Sequence, residues 1–317
     1  MALLEVKNLT VGMKKDGKVL KAVNNISFKI DEGEIAGIAG ESGSGKSTAA
    51  LSVINMLAHN FEILGGEIVL NSQKEKLSIS GSEIGMIFQE IRQSLNPLMK
   101  IGDQITENIS NNKREIKKLA LDMLYSLGFE EPEKIFNSYP HQLSGGMCQR
   151  ALTAIAAIRR PRLLLADEPS SALDEEGQKR ILSFLLEMNR EYKTAILIIS
   201  HNLSIIRDFC SRFMIMYDGK IIEEGPSEAL SSPLHPYTNA LIGAIPKKEK
   251  RGTPLENIPG KPPSIEDNFS GCLFAPRCKK AKPVCHEVLP PEIIYNTEGN
   301  IKRAVYCHFP ETGEKND

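Results

Sequence analysis

The sequence predicts an α/β protein with a mixed, largely parallel core sheet. Apolar runs of strand length alternate with helical patterns, and this alternation favours parallel strands with helices packed against them. The first buried run, Glu34–Ala39, leads into a glycine-rich loop at 40–48 and then into a helical pattern. In open parallel sheets ligands bind at the carboxyl ends of the strands, so this loop is the first candidate for a site.

The loop fits the phosphate-binding pattern G-x-x-x-x-G-K-[S/T] at Gly40, Gly45, Lys46 and Ser47. Glycine lacks a Cβ atom, so the backbone can bring its N–H groups close to phosphate oxygens, and the following helix N-terminus adds positive charge. Lys46 would reach the terminal phosphates and the Ser47 hydroxyl would bind Mg²⁺. The alternative, a glycine- and serine-rich surface loop, is disfavoured because pattern and context agree. The residues predicted to bind the nucleotide here are Gly40, Glu41, Ser42, Gly43, Ser44, Gly45, Lys46, Ser47 and Thr48.

The first thirty residues predict an antiparallel β part. Alternating apolar residues indicate two strands joined by a turn at Asp16-Gly17. After the glycine-rich loop, a further turn is predicted at Gly65-Gly66, followed by an edge strand over Glu67–Asn71. The residues predicted to face inward on the first two strands are Leu4, Val6, Val11, Ile26, Phe28 and Ile30.

A helical insertion is predicted over residues 94–160, where apolar residues recur at spacings of three and four. Strand and helix patterns surround it and complete the α/β domain. These elements are the strands Ile84–Phe88, Arg162–Asp167 and Ala195–Ile199 and the amphipathic helix Glu175–Tyr192.

Two carboxylates, Asp167 and Glu168, end the apolar run that precedes them. Successive strand residues point to opposite faces, so the two acids should have different roles. We expect Asp167 to face the Mg²⁺ beside Ser47, and Glu168 to face an attacking water. Pro169 ends the strand and is expected to hold Glu168 extended. The alternative is an acidic strand-to-turn junction without a catalytic role.

Two further polar residues follow predicted strands. Gln89 could bind Mg²⁺ or orient water, although a glutamine taken alone is more often only solvated. His201 follows the strand Ala195–Ile199 at the edge where ligands bind, so it can contact a terminal phosphate or hold the base. The alternative for His201 is a histidine that caps the next helix.

A second candidate phosphate binder lies at Ser144, Gly145, Gly146 and Met147, just before a helical pattern that starts near Cys148. Bare glycine amides and a serine hydroxyl at a helix N-terminus suit an anion. One chain needs a single cradle per nucleotide, so this second site is expected to serve the nucleotide of another chain.

The bulk composition limits the classes of function. The formal net charge of -1 does not favour nucleic acid as a partner. There is no apolar run of the length that spans a bilayer, and the first residues lack the pattern of a signal peptide. We therefore expect a cytosolic protein whose membrane role comes through a partner. At 317 residues, one large domain with an appendage is the natural division, here 1–235 and 236–317.

The C-terminal part combines prolines with cysteines. Its prolines are expected to prevent regular helix or sheet and to form an ordered linker; they are Pro233, Pro236, Pro246, Pro254, Pro259, Pro262 and Pro263. The linker leads to a small segment with Cys272, Cys278, Cys285 and Cys307, and a reducing cytosol favours metal binding over disulfides. Their spacing is wider than in common zinc knuckles, and four thiolates can hold an iron–sulfur cluster. Zinc, with His286 or His308, and two disulfides remain alternatives.

These motifs, in this order, resemble the ATP-binding subunit of an ABC transporter over about residues 3–230. The resemblance implies two subunits packed head to tail, with ATP between the loop at 40–48 of one chain and Ser144–Met147 of the other. Binding would close the dimer, and hydrolysis by water activated by Glu168 would reopen it. His201 would stabilise the terminal phosphate. Gln89 would bind Mg²⁺, and Ser171 and Asp174 would communicate across the interface.

Further segments are similar to the ATPases of oligopeptide, dipeptide and nickel importers. They are Ser94–Pro97, Ile101–Ile105, Pro233–Leu241, Ile258–Pro263 and Gly271–Cys278. This resemblance implies a [4Fe–4S] cluster at the four clustered cysteines. It also implies a second, related ATPase, two membrane permeases and an extracellular binding protein as partners, with the chain peripheral on the cytoplasmic face of the membrane.

The sequence departs from the family pattern at a few positions. Met13 stands where an aromatic residue usually stacks on adenine, Cys148 replaces an arginine or glutamine, and Ser170 and Ser171 replace threonines. None of these changes removes a catalytic group, so the resemblance implies intact ATP hydrolysis. The transported substrate remains open between peptides and nickel or a metal chelate. Two less favoured functions are those of a non-transport ABC ATPase and of a regulator that binds ATP without cleaving it.

Overall fold

The computed structural model describes residues 2–70, 83–107, 109, 112–244, 258–267, 269–295 and 302–311. Asn71, Pro246 and Pro254, which entered the predictions above, lie outside these ranges. The chain forms two compact units. The helical unit comprises residues 1–3, 30–35 and 70–199, and the phosphate-loop unit comprises 4–29, 36–69 and 200–317.

The strands are β1 Ala2–Lys15, β2 Lys18–Asp31, β3 Ile35–Ala39, β4 Phe61–Leu70, β5 Ile84–Ile87, β6 Leu163–Asp167, β7 Ala195–Ile199, β8 Arg212–Tyr217, β9 Lys220–Pro226, β10 Glu292–Tyr295 and β11 Arg303–Tyr306. The helices are α1 Lys46–Val53, α2 Ile91–Ser94, α3 Ile101–Thr106, α4 Lys113–Ser126, α5 Pro132–Phe136, α6 Gly145–Ala157, α7 Glu175–Tyr192, α8 Leu203–Phe209, α9 Pro236–Gly243 and α10 Pro283–Glu287. Within the described ranges, no helix is both long and apolar enough to cross a membrane.

The phosphate-loop unit contains the antiparallel N-terminal part. Strands β2, β1 and β4 form a three-stranded sheet in that order. The six residues predicted to face inward on β1 and β2 are buried, with 0% to 7% exposure, which confirms the alternating pattern. The predicted turn at Asp16-Gly17 is also present, with both residues at positive φ.

A second sheet of this unit has the order β10-β11-β9-β8-β3, with β3 parallel to β8 and the other pairs antiparallel. The C-terminal strand β11 pairs with β9, Ala304 opposite Glu224. The expectation that the proline-rich stretch excludes regular helix is wrong at α9. Pro236 is the first residue of that helix, where its missing N–H would have no partner inside the helix.

The helical unit has β5, β6 and β7 in parallel, with β6 in the middle. Helices α2 to α6 lie between β5 and β6 in the sequence, which confirms the predicted helical insertion. The predicted bounds of α7 and β7 agree with the structure. These elements were predictable because their apolar periodicity is uninterrupted and each is bounded by polar or turn residues.

The turn predicted at Gly65-Gly66 is wrong, because β4 runs through both glycines. Gly66 has φ 97° and lies so close to β1 that a Cβ atom there would be 2.6 Å from the carbonyl oxygen of Asn8. This glycine therefore permits close approach of two backbones, which is the other common reason for a glycine inside a strand. The predicted edge position is confirmed for Glu67–Leu70, since β4 ends its sheet.

Candidate nucleotide site

The loop between β3 and α1 requires two of its glycines. Gly40 has φ 154°, and a Cβ atom there would be 2.2 Å from the carbonyl oxygen of Met216. Gly45, the residue before α1, has φ 97°, and its Cβ atom would be 2.6 Å from the carbonyl oxygen of Ala22. Larger residues would collide with the backbone at both positions, so the motif glycines allow the loop to fold tightly against its own unit.

Lys46 is held inside the loop rather than extended into solvent. It is 8% exposed. Its Nζ donates to the carbonyl oxygens of Gly40 and Glu41, at 2.8 Å each, and lies 3.3 Å from Ser44 Oγ. The ammonium group is thus fixed beside the backbone amides of the loop, which together suit the binding of a phosphate group.

His201 follows β7 and belongs to the same unit as the loop. The preceding residue, Ser200, donates its N–H to the carbonyl oxygen of Ile38 at 3.0 Å, next to the end of β3. His201 itself is exposed. The helix α8 is capped by Asn202, which accepts from the N–H of Ser204 at 3.0 Å, so the alternative of a capping histidine is wrong.

The two acids after β6 are both buried. Asp167 is 3% exposed and Glu168 is 8% exposed. The Glu168 N–H donates to the carbonyl oxygen of Ile199 at 2.9 Å, which continues the β6–β7 pairing to this residue. Both carboxylates therefore lie at the carboxyl end of the parallel strands, as predicted.

The expectation that Pro169 holds Glu168 extended is wrong. Glu168 has φ 48°, in the left-handed region that L-residues other than glycine, asparagine and aspartate seldom occupy. Its carbonyl oxygen accepts from both the N–H and the hydroxyl of Ser171, at 3.2 Å each. This tight turn overrides the preference of the proline, and such strain is found most often at functional sites.

Gln89 lies on the same edge as these acids. Ile87 of β5 is paired with Ala166 of β6, so Gln89 and Glu168 each follow a paired position by two residues. Gln89 is exposed. The oxygen atoms at this edge are of the kind that Mg²⁺ prefers in proteins.

The predicted site residues therefore fall into two groups. The phosphate-loop unit holds the loop, His201 and Met13, which is half-buried on β1. The helical unit holds Gln89, the two acids after β6 and the second predicted phosphate binder.

The second predicted phosphate binder is a capped helix N-terminus. Ser144 precedes α6, and its Oγ accepts from the N–H of Met147 at 3.3 Å. Ser144 and Gly145 are exposed. A capping hydroxyl and bare glycine amides at an exposed helix start can accept an anion.

A cavity of about 410 Å³ brings this helix start together with the predicted interface loop. Ser144, Gly146 and Met147 line it from one side, and Asp174 lines it as the residue before α7, whose Oδ1 accepts from the N–H of Gly177 at 2.9 Å. Ser171 is exposed nearby in sequence and is tied to Glu168 as described above. The second predicted phosphate binder and the predicted interface residue Asp174 thus line one cavity.

Two arginines in this cavity were missed by the sequence reasoning. Arg150 and Arg180 both line it. Burial lowers the pKa of Arg150, and the charge of Arg180 lowers it further. Arg150 also donates to the carbonyl oxygens of Leu127 and Gly128, at 3.1 and 2.9 Å. Arg150 lies three residues after Met147 in the sequence, so its position near the start of α6 could have been predicted. Arg180 belongs to α7, and no local pattern places it in the same cavity.

The four clustered cysteines line one cavity of about 20 Å³, and none of the four forms a disulfide. The Cys272 N–H donates to the carbonyl oxygen of Cys285 at 2.7 Å, which draws two of the segments together. Burial raises the pKa of the thiols of Cys272 and Cys278, and raises that of Cys307 to about 11. A bound metal would therefore have to displace protons from these thiols.

In the described part of the chain, no three His, Cys, Asp or Glu side chains are grouped so as to hold one metal ion. The lack of a single-ion site among the described residues does not conflict with the cavity that the four cysteines share, because one ion and a cluster require different arrangements of the sulfurs. A single zinc needs its sulfurs about 2.3 Å from one point, whereas each thiolate of a [4Fe–4S] cluster binds a different iron. The donor set suits a cluster, but the cavity has room for about one water-sized sphere, so a cluster would require the cysteine segments to separate.

A connection between the cysteine segment and the loop was also missed. Arg277 binds both carboxylate oxygens of Glu41, at 2.6 and 2.9 Å. No local sequence signal could have found this pair, because 236 residues separate its members.

Comparison with known proteins agrees with this geometry. Residues 23–171 match the family model described as ABC transporter, and residues 222–285 match that of the oligopeptide/dipeptide transporter, C-terminal region. The dipeptide transport ATP-binding protein DppD of Escherichia coli (strain K12) is 37% identical over 98% of this chain and 97% of its own length. The oligopeptide transport ATP-binding protein OppD of Haemophilus influenzae is 40% identical over 93% and 94%.

Solved structures show the same fold. The dimeric bacterial ABC transporter cassette MJ0796 superposes with a TM-score of 0.63, at 28% identity, over 71% of this chain and 99% of its own. Its dimeric post-hydrolysis state, bound to ADP and Pi, gives the same TM-score at 29% identity. The fold and the motifs define a P-loop ATPase of the cassette type. The chain belongs to the family of ABC transporter ATP-binding proteins, and its reaction is ATP hydrolysis coupled to transport.

Proposed function

We propose that this chain powers the import of oligopeptides or dipeptides. The observation that carries the proposal is the match of residues 222–285 to the C-terminal region of oligopeptide/dipeptide transporters. The names of relatives that align over more than nine tenths of the chain support it. An ATPase subunit has no contact with the transported substrate, so an experiment must distinguish peptides from the alternative substrates, nickel or a metal chelate.

The test is uptake by the assembled transporter. The chain, its permeases and its second ATPase are reconstituted in liposomes with ATP on the side of the ATPases and binding protein on the other. Labelled dipeptide and oligopeptide should accumulate with ATP and fail to accumulate with ADP. Uptake of nickel or its chelate in place of peptide would overturn the assignment of cargo. If the chain hydrolyses ATP but no membrane permease co-purifies with it from cells, the function of a non-transport ABC ATPase would be favoured.

The ATP site is assigned to the residues predicted from the sequence. The loop at 40–48 holds the phosphates, and Met13 packs against adenine through its polarisable sulfur. Ser47, Gln89 and Asp167 would hold Mg²⁺, which would neutralise charge on the terminal phosphates. The buried carboxylate of Asp167 and the amide oxygen of Gln89 at the same strand edge support this assignment.

Glu168 is assigned as the general base. Its carboxylate takes a proton from water as the water oxygen forms a bond to the terminal phosphorus, and the bond from that phosphorus to ADP breaks. His201 donates a hydrogen bond to the terminal phosphate. The position of Glu168 at the strand edge and its strained backbone support its role.

The signature residues Ser144, Gly145, Gly146 and Met147 are assigned to the nucleotide of a second chain. The cavity beside them is lined by two arginines and two carboxylates, with Arg180 paired to Glu176 at 2.6 Å, so it suits a polar partner better than a hydrophobic one. The exposed helix start itself supports the binding of a phosphate. Ser171 and Asp174 would transmit closure across the interface.

The second chain is proposed to be a related but different ATPase. Two permeases and, indirectly, an extracellular binding protein complete the assembly, with this chain on the cytoplasmic face of the membrane. The proposed division of the chain is an ATPase domain at 1–235, with its helical subdomain at about 94–160, and a proline-rich linker with the cysteine domain at 236–317.

The four cysteines are proposed to hold a [4Fe–4S] cluster that staples this small C-terminal segment. The position of all four thiols around one cavity, with no disulfide between them, supports this choice of ligands, and the cysteine segments would separate to admit the cluster. Protein purified without oxygen should be brown and contain iron and sulfide in equal amounts. Replacing Cys285 with serine should remove the iron and lower the melting temperature, whereas Cys210→Ser, outside the cluster, should retain the iron.

Each competing assignment has its own signature in the same experiment. If the protein contains one zinc per chain and no sulfide, the four cysteines form a zinc site and not a cluster. Loss of thiol reactivity without any metal would indicate disulfides. Colourless protein with four reactive thiols and no metal would overturn both metal assignments.

A further inference from the structure

The phosphate loop is bound from outside by an arginine of the cysteine segment. Arg277 Nη1 lies 2.6 Å from Glu41 Oε2, and Nη2 lies 2.9 Å from Oε1, so the guanidinium grips the carboxylate with two parallel hydrogen bonds. The Arg277 side chain is 5% exposed and that of Glu41 is 24% exposed. A two-point contact of this kind fixes direction as well as distance, and burial limits its screening by water.

The arginine is itself held firmly. Its Nε donates to the carbonyl oxygen of Pro259 at 2.9 Å, and its Nη1 lies 3.2 Å from Tyr217 Oη. Its backbone is part of a short 3₁₀ turn, Ala275–Arg277, directly before Cys278. The contact with Glu41 raises the pKa of Arg277 further above its ordinary value. The guanidinium is therefore also held by Pro259 of the C-terminal segment and by Tyr217 of β8, neither of which belongs to the loop.

A second contact from the C-terminal part reaches the same loop residue. The Glu41 N–H donates to Tyr237 Oη at 2.8 Å, and Tyr237 is completely buried. The ring of Tyr237 packs edge-on against Tyr217 and Phe274, with centroids 4.6 and 5.3 Å apart. Both the backbone and the side chain of Glu41 are thus held from outside the loop.

The residue that supports Tyr237 is also fixed. Burial lowers the pKa of His235 to about 3, so its ring stays neutral. Its Nδ1 can then accept from the Tyr237 N–H at 3.0 Å, which places Tyr237 at the start of α9. The support of Glu41 therefore does not depend on flexible surface groups.

The carboxylate of Glu41 is a liability in a loop that must accept phosphate groups. Like charges repel, and Glu41 is one of the loop residues predicted to surround the phosphates. The guanidinium of Arg277 compensates the charge of Glu41 and directs its carboxylate along one line. A loop without Arg277 would present an uncompensated negative charge to ATP.

We infer that Arg277 is a positioning residue of the nucleotide site, through which the C-terminal segment sets the affinity of the phosphate loop for ATP. The inference rests on the proposed binding of ATP by this loop. It assigns to the C-terminal segment a role in the ATPase reaction in addition to its own folding.

The test compares ATP binding by the full chain and turnover by the assembled transporter. Arg277→Gln should weaken ATP binding, measured by titration calorimetry, about tenfold and raise KM by a similar factor, with kcat within about twofold. Arg277→Lys should recover part of the affinity, because it keeps the charge and loses the two-point geometry. Glu266→Gln is the matched control: it removes the exposed ion pair with Lys15, which also joins the C-terminal part to β1, and should change neither constant.

The charge argument has its own readout. Glu41→Gln in the Arg277→Gln background should restore most of the lost ATP affinity, since no carboxylate then opposes the phosphates. A residue that only supported the fold would show no such rescue, and absence of rescue would overturn the inference. So would parent-like ATP binding by Arg277→Gln in a folded chain.

Failure of the inference and of the proposed function are distinguishable. A parent chain that does not bind ATP refutes the assignment of the loop. If Arg277→Gln does not fold, as judged by circular dichroism, Tyr237→Phe tests the same connection with loss of a single hydroxyl. That variant should weaken ATP binding about threefold, and unchanged affinity would refute the role of the C-terminal segment.

Discussion

Replacing Glu168 with glutamine is expected to lower the rate of ATP hydrolysis about a thousandfold, while ATP affinity stays within about twofold of the parent. Glutamine has nearly the same size and fits the same buried position at the end of β6. It cannot accept a proton from water, so the bond-making step loses its base. The backbone contacts that hold residue 168, from its N–H to Ile199 and from Ser171 to its carbonyl oxygen, do not involve the side chain.

Steady-state phosphate release and equilibrium ATP binding are measured on the assembled transporter. Glu187→Gln, an exposed glutamate on α7, is the matched control and should hydrolyse ATP at the parent rate. Parent-like turnover by Glu168→Gln would show that another group is the base. Loss of ATP binding in that variant would assign Glu168 to the fold of the site instead.

The second large effect is expected at Ser144. Ser144→Asp should lower ATP hydrolysis about a hundredfold at the site shared with a second chain, because it places a carboxylate where a phosphate is expected. Aspartate is as good a residue as serine before a helix, so α6 keeps its capping hydrogen bond to the N–H of Met147. The change therefore tests anion binding and not the stability of the helix.

Ser144→Asn provides the control for size and capping. Asparagine resembles aspartate in shape, caps helices equally well and carries no charge, so most of the activity should remain. ATP binding by the isolated chain should be unaffected by either variant, since the loop at 40–48 is unchanged. Equal activities of the aspartate and asparagine variants would contradict a phosphate at this helix start.

Much of the fold could be predicted from the sequence because its signals are local. The bounds of α7 and β7 and the inward residues of β1 and β2 follow from hydrophobic periodicity alone. The glycines of the phosphate loop follow from the motif, and the structure gives the steric reason for Gly40 and Gly45.

The predictions that were wrong concern glycine and proline positions, because each of these residue types occurs in more than one kind of local structure. Gly66 allows close approach of strands rather than a turn, and Pro236 begins a helix instead of preventing one. The proline after Glu168 predicted extended backbone, but hydrogen bonds from Ser171 hold a left-handed turn. A contact with β1 decided the outcome at Gly66, whereas hydrogen bonds within four residues decided it at Glu168 and the position at the start of a helix decided it at Pro236.

Other parts of the site depend on contacts between distant residues. Arg180 reaches the cavity of the signature helix from α7, and Arg277 reaches Glu41 across 236 residues of sequence. The cysteines were recognised by type and spacing, but the sequence could not give the size of the cavity between them. Periodicity and motifs describe neighbours in sequence, so these long-range pairs were not accessible to them.

We propose that each chain supplies half of an ATP site and that ATP joins two such halves. The most direct measurement is analytical ultracentrifugation of the Glu168→Gln chain with and without Mg-ATP, alone and mixed with the second ATPase. ATP should convert the chain to a two-ATPase complex, and Ser144→Asp in the same background should weaken that association. If the chain binds ATP but stays monomeric both alone and in the mixture with the second ATPase, ATP does not join two half-sites.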